Sequence, residues 1–474
     1  MRNFIEILFS KTKGKNNAVI YKGISYSYDK LYKDVIQYSL SIGSRVESNN
    51  GQKIGFMFDK SYNSLCILLA IMHSGNTYVP LNKKTPKNRL INILKNYGIE
   101  NIISDENFII EGVDVINLND LKNSNNIICN YKNLEGDYAY IIFTSGSTGL
   151  PKAVGISYFN LQCFLDSMKE VVDITEDDRV SFYADYFFDF SIAEIFLTIG
   201  SSACLVIPDH FEKRNPLKFV EENEITIWMS VPSYVNYCME LNRIKKYILN
   251  NVRITIFCGE GLPVQLARSW LDIVPNSKIY NAYGPTEATV FSTVYLFDLD
   301  IVYETYLLPI GTDLKNIKSK ITLTDEKGIG ELFLSGGQVF SGYLLDECID
   351  DWYGTGDMVY KDKYGNYNFV CRNDFQIKRN GYRIDINEIK NIIKNSLNNI
   401  ELEVISLDLN NVKKVIFIIN NKIDVLIVKN IIDDKLESYM KPDSILVLDR
   451  FPLNQNGKLD YNSLKIIAKE ILST

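Results

Sequence analysis

Hydroxyls, glycines and a single cation crowd the stretch TSGSTGLPK, Thr144 to Lys152. Gly146 and Gly149 let the backbone turn its N–H groups to one side. Ser145, Ser147 and Thr148 add hydroxyl donors, and Lys152 adds a positive charge. Such a set is suited to holding an anion, and a chain of phosphates above all. A surface turn also draws on Gly, Ser and Pro, but it needs only a few of them. The order is not that of the common nucleotide loops. In a Walker A loop the lysine follows the second glycine directly, whereas Leu150 and Pro151 intervene here, and there is no G-x-G-x-x-G run.

The remaining titratable residues narrow the chemistry. Only two histidines occur, His73 and His210. The chain is therefore poorly equipped for a Ser–His hydrolase or a His-ligated metal centre. Its chemistry should rest on neutralising negative charge rather than on an imidazole base. The eight cysteines are scattered without a C-x-x-C pair, which reads as reduced thiols in a cytoplasmic protein. A net charge of −7 with no basic block speaks against a nucleic-acid partner. No apolar run approaches the ~20 residues of a membrane span, so no membrane insertion is expected.

These groups need a scaffold, and the pattern around them predicts one. Strand-like runs at Lys53–Phe58, Tyr78–Leu81, Asn101–Ser104, Ile225–Met229, Arg253–Cys258 and Lys278–Tyr280 alternate with helical patterns such as Ser61–Ser74. Alternation of this kind implies βαβ units and parallel-rich sheets flanked by helices. Gly328–Leu334, Gly336–Tyr343 and Tyr353–Tyr360 read as an antiparallel β subdomain. Beyond Arg372 the character changes. Asp385 and Glu388 look like a capping box, and Ile389, Ile392, Ile393 and Leu397 follow at helical spacing. Strands at Glu403–Leu407 and Lys414–Ile419, joined through Asn410 and Asn411, then a helix and a strand near Ser444–Leu448, make a small α+β domain. The reading is a large α/β domain over residues 1–372 and a small, mobile α+β domain over residues 373–474.

Four more stretches join the loop: NAYGPTEATV (Asn281–Val290), WYGTGDMVY (Trp352–Tyr360), RNDFQIKRNGYRIDINEI (Arg372–Ile389) and PLNQNGKLD (Pro452–Asp460). In order and spacing, they and TSGSTGLPK resemble the core motifs of the adenylate-forming superfamily. That group includes acyl-CoA synthetases, luciferases and amino-acid adenylation domains. The resemblance implies attack of a substrate carboxylate on the α-phosphate of ATP, with Mg2+ as cofactor. A carboxylate is already ionised, so no general base is needed, in keeping with the scarcity of histidine. By this resemblance Thr144, Ser145, Gly146, Ser147, Thr148, Gly149 and Lys152 would hold the phosphates, with Asn281 also on the nucleotide. Thr286 would contact the α-phosphate and Glu287 would bind Mg2+. Tyr283 would stack on the adenine, and Asp357 with Arg372 would hold the ribose. Lys458 would be the mobile catalytic cation, and Asp374 the hinge between the domains. Ala153, Gly354 and Cys371 depart from the family's usual residues at positions without an assigned chemical role.

FDFSIAEIF (Phe188–Phe196) bears on the substrate. In amino-acid adenylating members the aspartate of this motif anchors the substrate ammonium, and Asp189 matches it. Alignment by motif places Phe190, Ala193, Met229, Ile256, Cys258, Ala282, Val290 and Phe291 around the side-chain pocket. All are apolar or nearly so, which implies a small apolar amino acid. FCGEGLPVQLAR (Phe257–Arg268), with Met229, is similar to D-alanine–carrier protein ligases. D-alanine is thus the expected substrate, and the phosphopantetheine thiol of a separate carrier protein the expected acceptor. The alternatives are a free-standing natural-product adenylation enzyme for another apolar L-amino acid and, further off, an acyl-CoA synthetase.

Overall fold

Ser61 shows how local signals set the framework. Its hydroxyl accepts from Ser64 N at 3.1 Å and the Ser64 hydroxyl accepts from Ser61 N at 2.8 Å. This reciprocal cap opens the helix Tyr62–His73. Every residue of that helix except Asn63 is buried. A helix apolar on all sides can only lie between layers, and the sheets supply them. The computed structural model describes residues 3–46, 51–121, 137–145, 151–322, 324, 326, 328–346, 348–373, 376–379, 381–397, 401–409, 412–420, 424–452 and 459–473.

The chain divides into two compact units. The first comprises residues 1–83, 97–143 and 153–373. Its nine-stranded sheet runs in the order Thr312–Asp313, Thr293–Leu296, Lys278–Tyr283, Ile254–Phe257, Ile227–Ser230, Arg179–Ser181, Cys204–Ile207, Asn17–Tyr21, Ile24–Ser27. The interior pairs are parallel and only the edges are antiparallel. Buried on both faces, the parallel strands appear in the sequence as unbroken apolar runs. A six-stranded sheet contains Lys53–Met57, Thr77–Pro80 and Asn101–Ser104. A third, antiparallel sheet joins Lys318–Thr322, Gly330–Ser335, Tyr353–Lys361 and Tyr367–Arg372. The fold is thus α/β with an antiparallel β portion, as the alternating pattern predicts.

Two local expectations differ. Gly336–Tyr343 is a turn rather than a strand, and its one ladder contact is an isolated bridge from Tyr343 to Val154. Gly336 has φ +117°, and a Cβ there would lie 2.4 Å from the Asn316 carbonyl oxygen. Only glycine fits, and the chain leaves the sheet at that point.

The second unit comprises residues 84–96, 144–152 and 374–474. Leu402–Leu409, Val412–Asn420 and Ser444–Leu448 form a three-stranded sheet, with Gln376–Arg379 and Tyr382–Asp385 as a separate ribbon. Helices Ile386–Lys394 and Val425–Lys435 cover one apolar cluster of this unit. Asp385 caps its helix through Asn387 N at 2.8 Å. Glu388, however, does not complete the capping box. It is fully buried and accepts from Arg89 at 2.6 Å, since a buried carboxylate is better satisfied by a guanidinium than by one more backbone N–H. Asn410 and Asn411 lie outside the described residues.

Candidate active site

Parallel strands present their carboxyl ends along one edge of a sheet, where α/β folds place their ligands. Register and alternation decide which side chains gather there. Met229 pairs with Ile256, Ile256 with Tyr280, and Phe257 with Asn281. Because alternate residues point to opposite faces, Met229, Ile256, Cys258 and Ala282 share one face. Trp228, Phe257 and Ile279 take the other and belong to a different apolar cluster. The helix Phe190–Gly200 contributes Phe190 and Ala193 to the cluster that holds the first set, along with Val290 and Phe291. The Phe190 ring meets Phe291 edge-on at 5.6 Å and Phe188 at 6.2 Å. All eight expected pocket residues therefore fall in one buried cluster.

Asp189 stands at the N-cap of this helix, yet its side chain makes no cap hydrogen bond. It is buried, at 6% exposure. Tyr140, fully buried on strand Tyr138–Thr144, has its phenol ionisation pushed up by burial and by the charge of Asp189. No sequence signal marks Tyr140 as a neighbour of Asp189.

Thr286–Ala288 form a 3-10 turn. Thr289 and Val290 follow with φ of 55° and 67°, a left-handed conformation that β-branched residues avoid. The surroundings enforce it. Thr289 Oγ1 donates to the Gln338 carbonyl at 2.6 Å, and Gln338 Nε2 donates to the Phe291 carbonyl at 2.7 Å. A Cβ on Gly284 would lie 2.4 Å from the Val290 oxygen. Glycine in NAYGPTEATV is thus required by the close return of the chain.

Glu287, in that turn, is fully buried. Tyr343 donates to its Oε1 at 2.6 Å. Among the described residues no three His, Cys, Asp or Glu gather as a metal-binding group. A lone buried carboxylate still fits Mg2+, which takes one or two carboxylates, several waters and substrate phosphates. Nearby in sequence, Tyr283 donates to Asp357 Oδ2 at 2.6 Å and Arg372 Nη1 to Asp357 Oδ1 at 2.8 Å. Arg372 is also anchored on the Thr355 carbonyl at 3.1 Å. Burial and the Asp357 charge hold the Tyr283 phenol well above its ordinary range. Tyr283, Asp357 and Arg372 thus form one connected group.

Other expected residues stand apart or lie outside the description. Asn281 is buried, and its amide donates to the Pro309 carbonyl at 2.8 Å; alternation directs it to the face opposite Ala282. Thr144 ends its strand and Ser145 follows, both buried, while Lys152 opens strand Lys152–Ser157. Gly146, Ser147, Thr148, Gly149, Asp374 and Lys458 are outside the described residues.

A buried carboxylate next to an apolar cluster, a tyrosine–aspartate–arginine group and a second buried carboxylate on a strained turn have the chemistry to meet a cationic small molecule and a hydroxylated, polyanionic one. The family model described as AMP-binding enzyme matches residues 9–344. Over 465 residues the chain is 30% identical to the D-alanine–D-alanyl carrier protein ligase of Staphylococcus aureus (strain MRSA252), covering 92% of this chain and 94% of the relative. The Vibrio cholerae adenylation domain AlmE, solved with glycyl-adenosine-5'-phosphate, shares the fold with a TM-score of 0.84 at 22% identity, covering 98% of this chain and 97% of that one. A nonribosomal peptide synthetase protein containing adenylation and PCP domains also shares it, with a TM-score of 0.84 at 21% identity, covering 97% of this chain and 83% of that one. No helix among the described residues is long and apolar enough to cross a membrane. The chain belongs to the AMP-binding enzyme family of the adenylate-forming superfamily and is an ATP-dependent ligase.

Proposed function

We propose that the protein activates a small apolar amino acid, D-alanine foremost, as its adenylate and passes it to the phosphopantetheine thiol of a carrier protein. The amino-acid carboxylate oxygen bonds to the α-phosphorus of ATP as the bond to pyrophosphate breaks. The carrier thiol then attacks the acyl carbon and AMP leaves. Asp189 receives the substrate ammonium. Phe190, Met229, Cys258, Ala282 and Val290 close around its side chain. Tyr283, Asp357 and Arg372 hold the nucleoside. Lys458 and the Thr144–Lys152 loop neutralise the reacting anions, where preorganised donors and cations do most of the work. Glu287 would hold Mg2+, which supplies positive charge beside the phosphates.

The observation that carries this reading is Asp189. It is a buried carboxylate not used as a helix cap, set beside an apolar cluster that contains Phe190, Met229 and Cys258. A buried negative charge beside the substrate favours ligands that bring an ammonium to it over those that do not. ATP–pyrophosphate exchange with D-alanine, L-alanine, glycine, β-alanine, larger L-amino acids and acetate tests it. Exchange should be fastest with D-alanine, and Asp189→Asn should raise the amino-acid KM steeply. Exchange with acetate but with no amino acid would overturn the reading. Preference for a larger L-amino acid would move the protein to the natural-product alternative.

A further inference from the structure

Lys60 and Glu194 are buried ionisable groups that this mechanism leaves idle. Lys60 follows strand Lys53–Met57 of the six-stranded sheet and lies just before the Ser61 cap. Glu194 sits one turn into the helix that Asp189 opens. Their exposures are 9% and 0%. Both grip the same piece of backbone. Lys60 Nζ donates to the carbonyls of Phe182, Tyr183 and Ala184 at 3.1, 2.5 and 2.9 Å. The Glu194 carboxylate accepts from Tyr183 N and Ala184 N at 2.9 and 3.0 Å. Lys60 also lies over the Phe182 ring, 4.6 Å from its centre.

The gripped segment leads from strand Arg179–Ser181 into the FDF turn. The turn itself is tied down downstream. Phe188 N donates to the Asp185 carbonyl at 3.0 Å, and Ser191 N to the Phe188 carbonyl at 3.0 Å. Tyr186 is held at its hydroxyl by Ser64 at 2.9 Å. A shift of Phe182–Ala184 would therefore be passed along this short, bonded path to Asp189. A buried ion of either sign is destabilising unless it is paired and hydrogen-bonded. Here each charge satisfies opposite poles of the same peptides and faces the other across them. Burial, with Lys213 nearby, pushes the Lys60 ammonium down and burial pushes the Glu194 carboxyl up, while the attraction between the two opposes both shifts. Asp185 adds its charge to both.

We infer that Lys60 and Glu194 are positioning residues for substrate recognition: together they fix the Phe182–Ala184 segment so that Asp189 meets the substrate ammonium. The inference rests on Asp189 as the ammonium anchor. Its signature is selective. Disturbing the clamp should raise KM for the amino acid while leaving KM for ATP unchanged, because the nucleoside group is built from other strands.

The test is steady-state exchange with Lys60→Met, Lys60→Arg, Glu194→Gln and Asp189→Asn, and with Lys60→Met and Glu194→Gln each combined with Asp189→Asn. The amino acid is whichever one the wild type prefers. Lys60→Met and Glu194→Gln should each raise amino-acid KM at least tenfold, with ATP KM within twofold. Lys60→Arg, which keeps a charge and a fork of donors, should restore most of the loss. In the Asp189→Asn background either change should add little, because the route runs through Asp189. If Lys60→Met does not fold, Glu194→Gln and Lys60→Arg carry the same comparison. Folded variants whose two KM values rise together, or do not move, overturn the inference, as does full additivity with Asp189→Asn. A wild type that activates acids but no amino acid would instead indict the reading of Asp189.

Discussion

Asp357→Asn isolates what a negative charge does in the nucleoside group. In the wild type Oδ2 accepts from Tyr283 and Oδ1 from Arg372. A carboxylate offers about four acceptor positions, so two bonded donors leave capacity for the ribose hydroxyls. Asparagine has the same outline and keeps one acceptor oxygen, but it is neutral. Hydrogen bonds to a charged partner contribute about 1.5–3 kcal/mol and neutral ones about 0.5–1.5 kcal/mol. Two ribose bonds would therefore lose about 2 kcal/mol between them. At 1.4 kcal/mol per tenfold, that corresponds to a rise in ATP KM of roughly 30-fold. Amino-acid KM should stay near its wild-type value. Arg372, only 9% exposed at its side chain, also loses its ionic partner, so unfolding stability should fall by about 1–3 kcal/mol. Exchange with 2′-deoxy-ATP separates binding from folding. The wild type should be penalised by the full charged bond, roughly 10- to 100-fold, and the variant by roughly 10-fold at most. Equal penalties in both proteins, or an unchanged ATP KM in Asp357→Asn, would refute the assignment of this carboxylate to the ribose.

Cys258 shares a buried cluster with Met229 and Ala282; if these residues line the substrate pocket as proposed, Cys258→Ala should admit L-alanine better. The D/L preference in exchange assays should narrow by roughly 1–2 kcal/mol, the size of one small group in an apolar pocket. Lys458→Ala should cut adenylate formation by roughly 10²–10³-fold with ATP still bound, as one oriented charge can contribute a few kcal/mol; calorimetric ATP titration alongside exchange reads both. Asp178 offers a pH test of stability. Burial alone would raise its pKa, but bonds from Arg253, Thr175 N and Thr226 hold it below its ordinary 3.8. Its stabilisation is therefore present above about pH 4 and lost as pH falls through the depressed value. Urea unfolding of Asp178→Asn should show a loss of roughly 1–3 kcal/mol at pH 7 that shrinks towards pH 2.

Much of this protein is already determined by short-range order in the chain. Short apolar runs rich in β-branched residues, such as Ile254–Phe257, read as strands buried on both faces, and the Ser61–Ser64 cap places the helix after it. Alternation within a strand puts Ile256 and Cys258 on one face, and the register of the neighbouring strands then brings Met229 and Ala282 to that face. The motifs around Lys152, Glu287 and Asp357 carry the reaction class through their resemblance to the adenylate-forming superfamily. What the tertiary structure alone decides is which polar group answers which. Gly336 ends a strand because of a carbonyl on Asn316, not because of its own neighbours. Glu388 turns from its cap to Arg89, 299 residues away in the chain. Tyr343 reaches Glu287 across 56 residues, and Lys60 reaches the Phe182 carbonyl across 122. A buried charge or hydroxyl is satisfied by whatever partner the path of the chain brings within about 3 Å. That path is a property of packing, which no local pattern encodes.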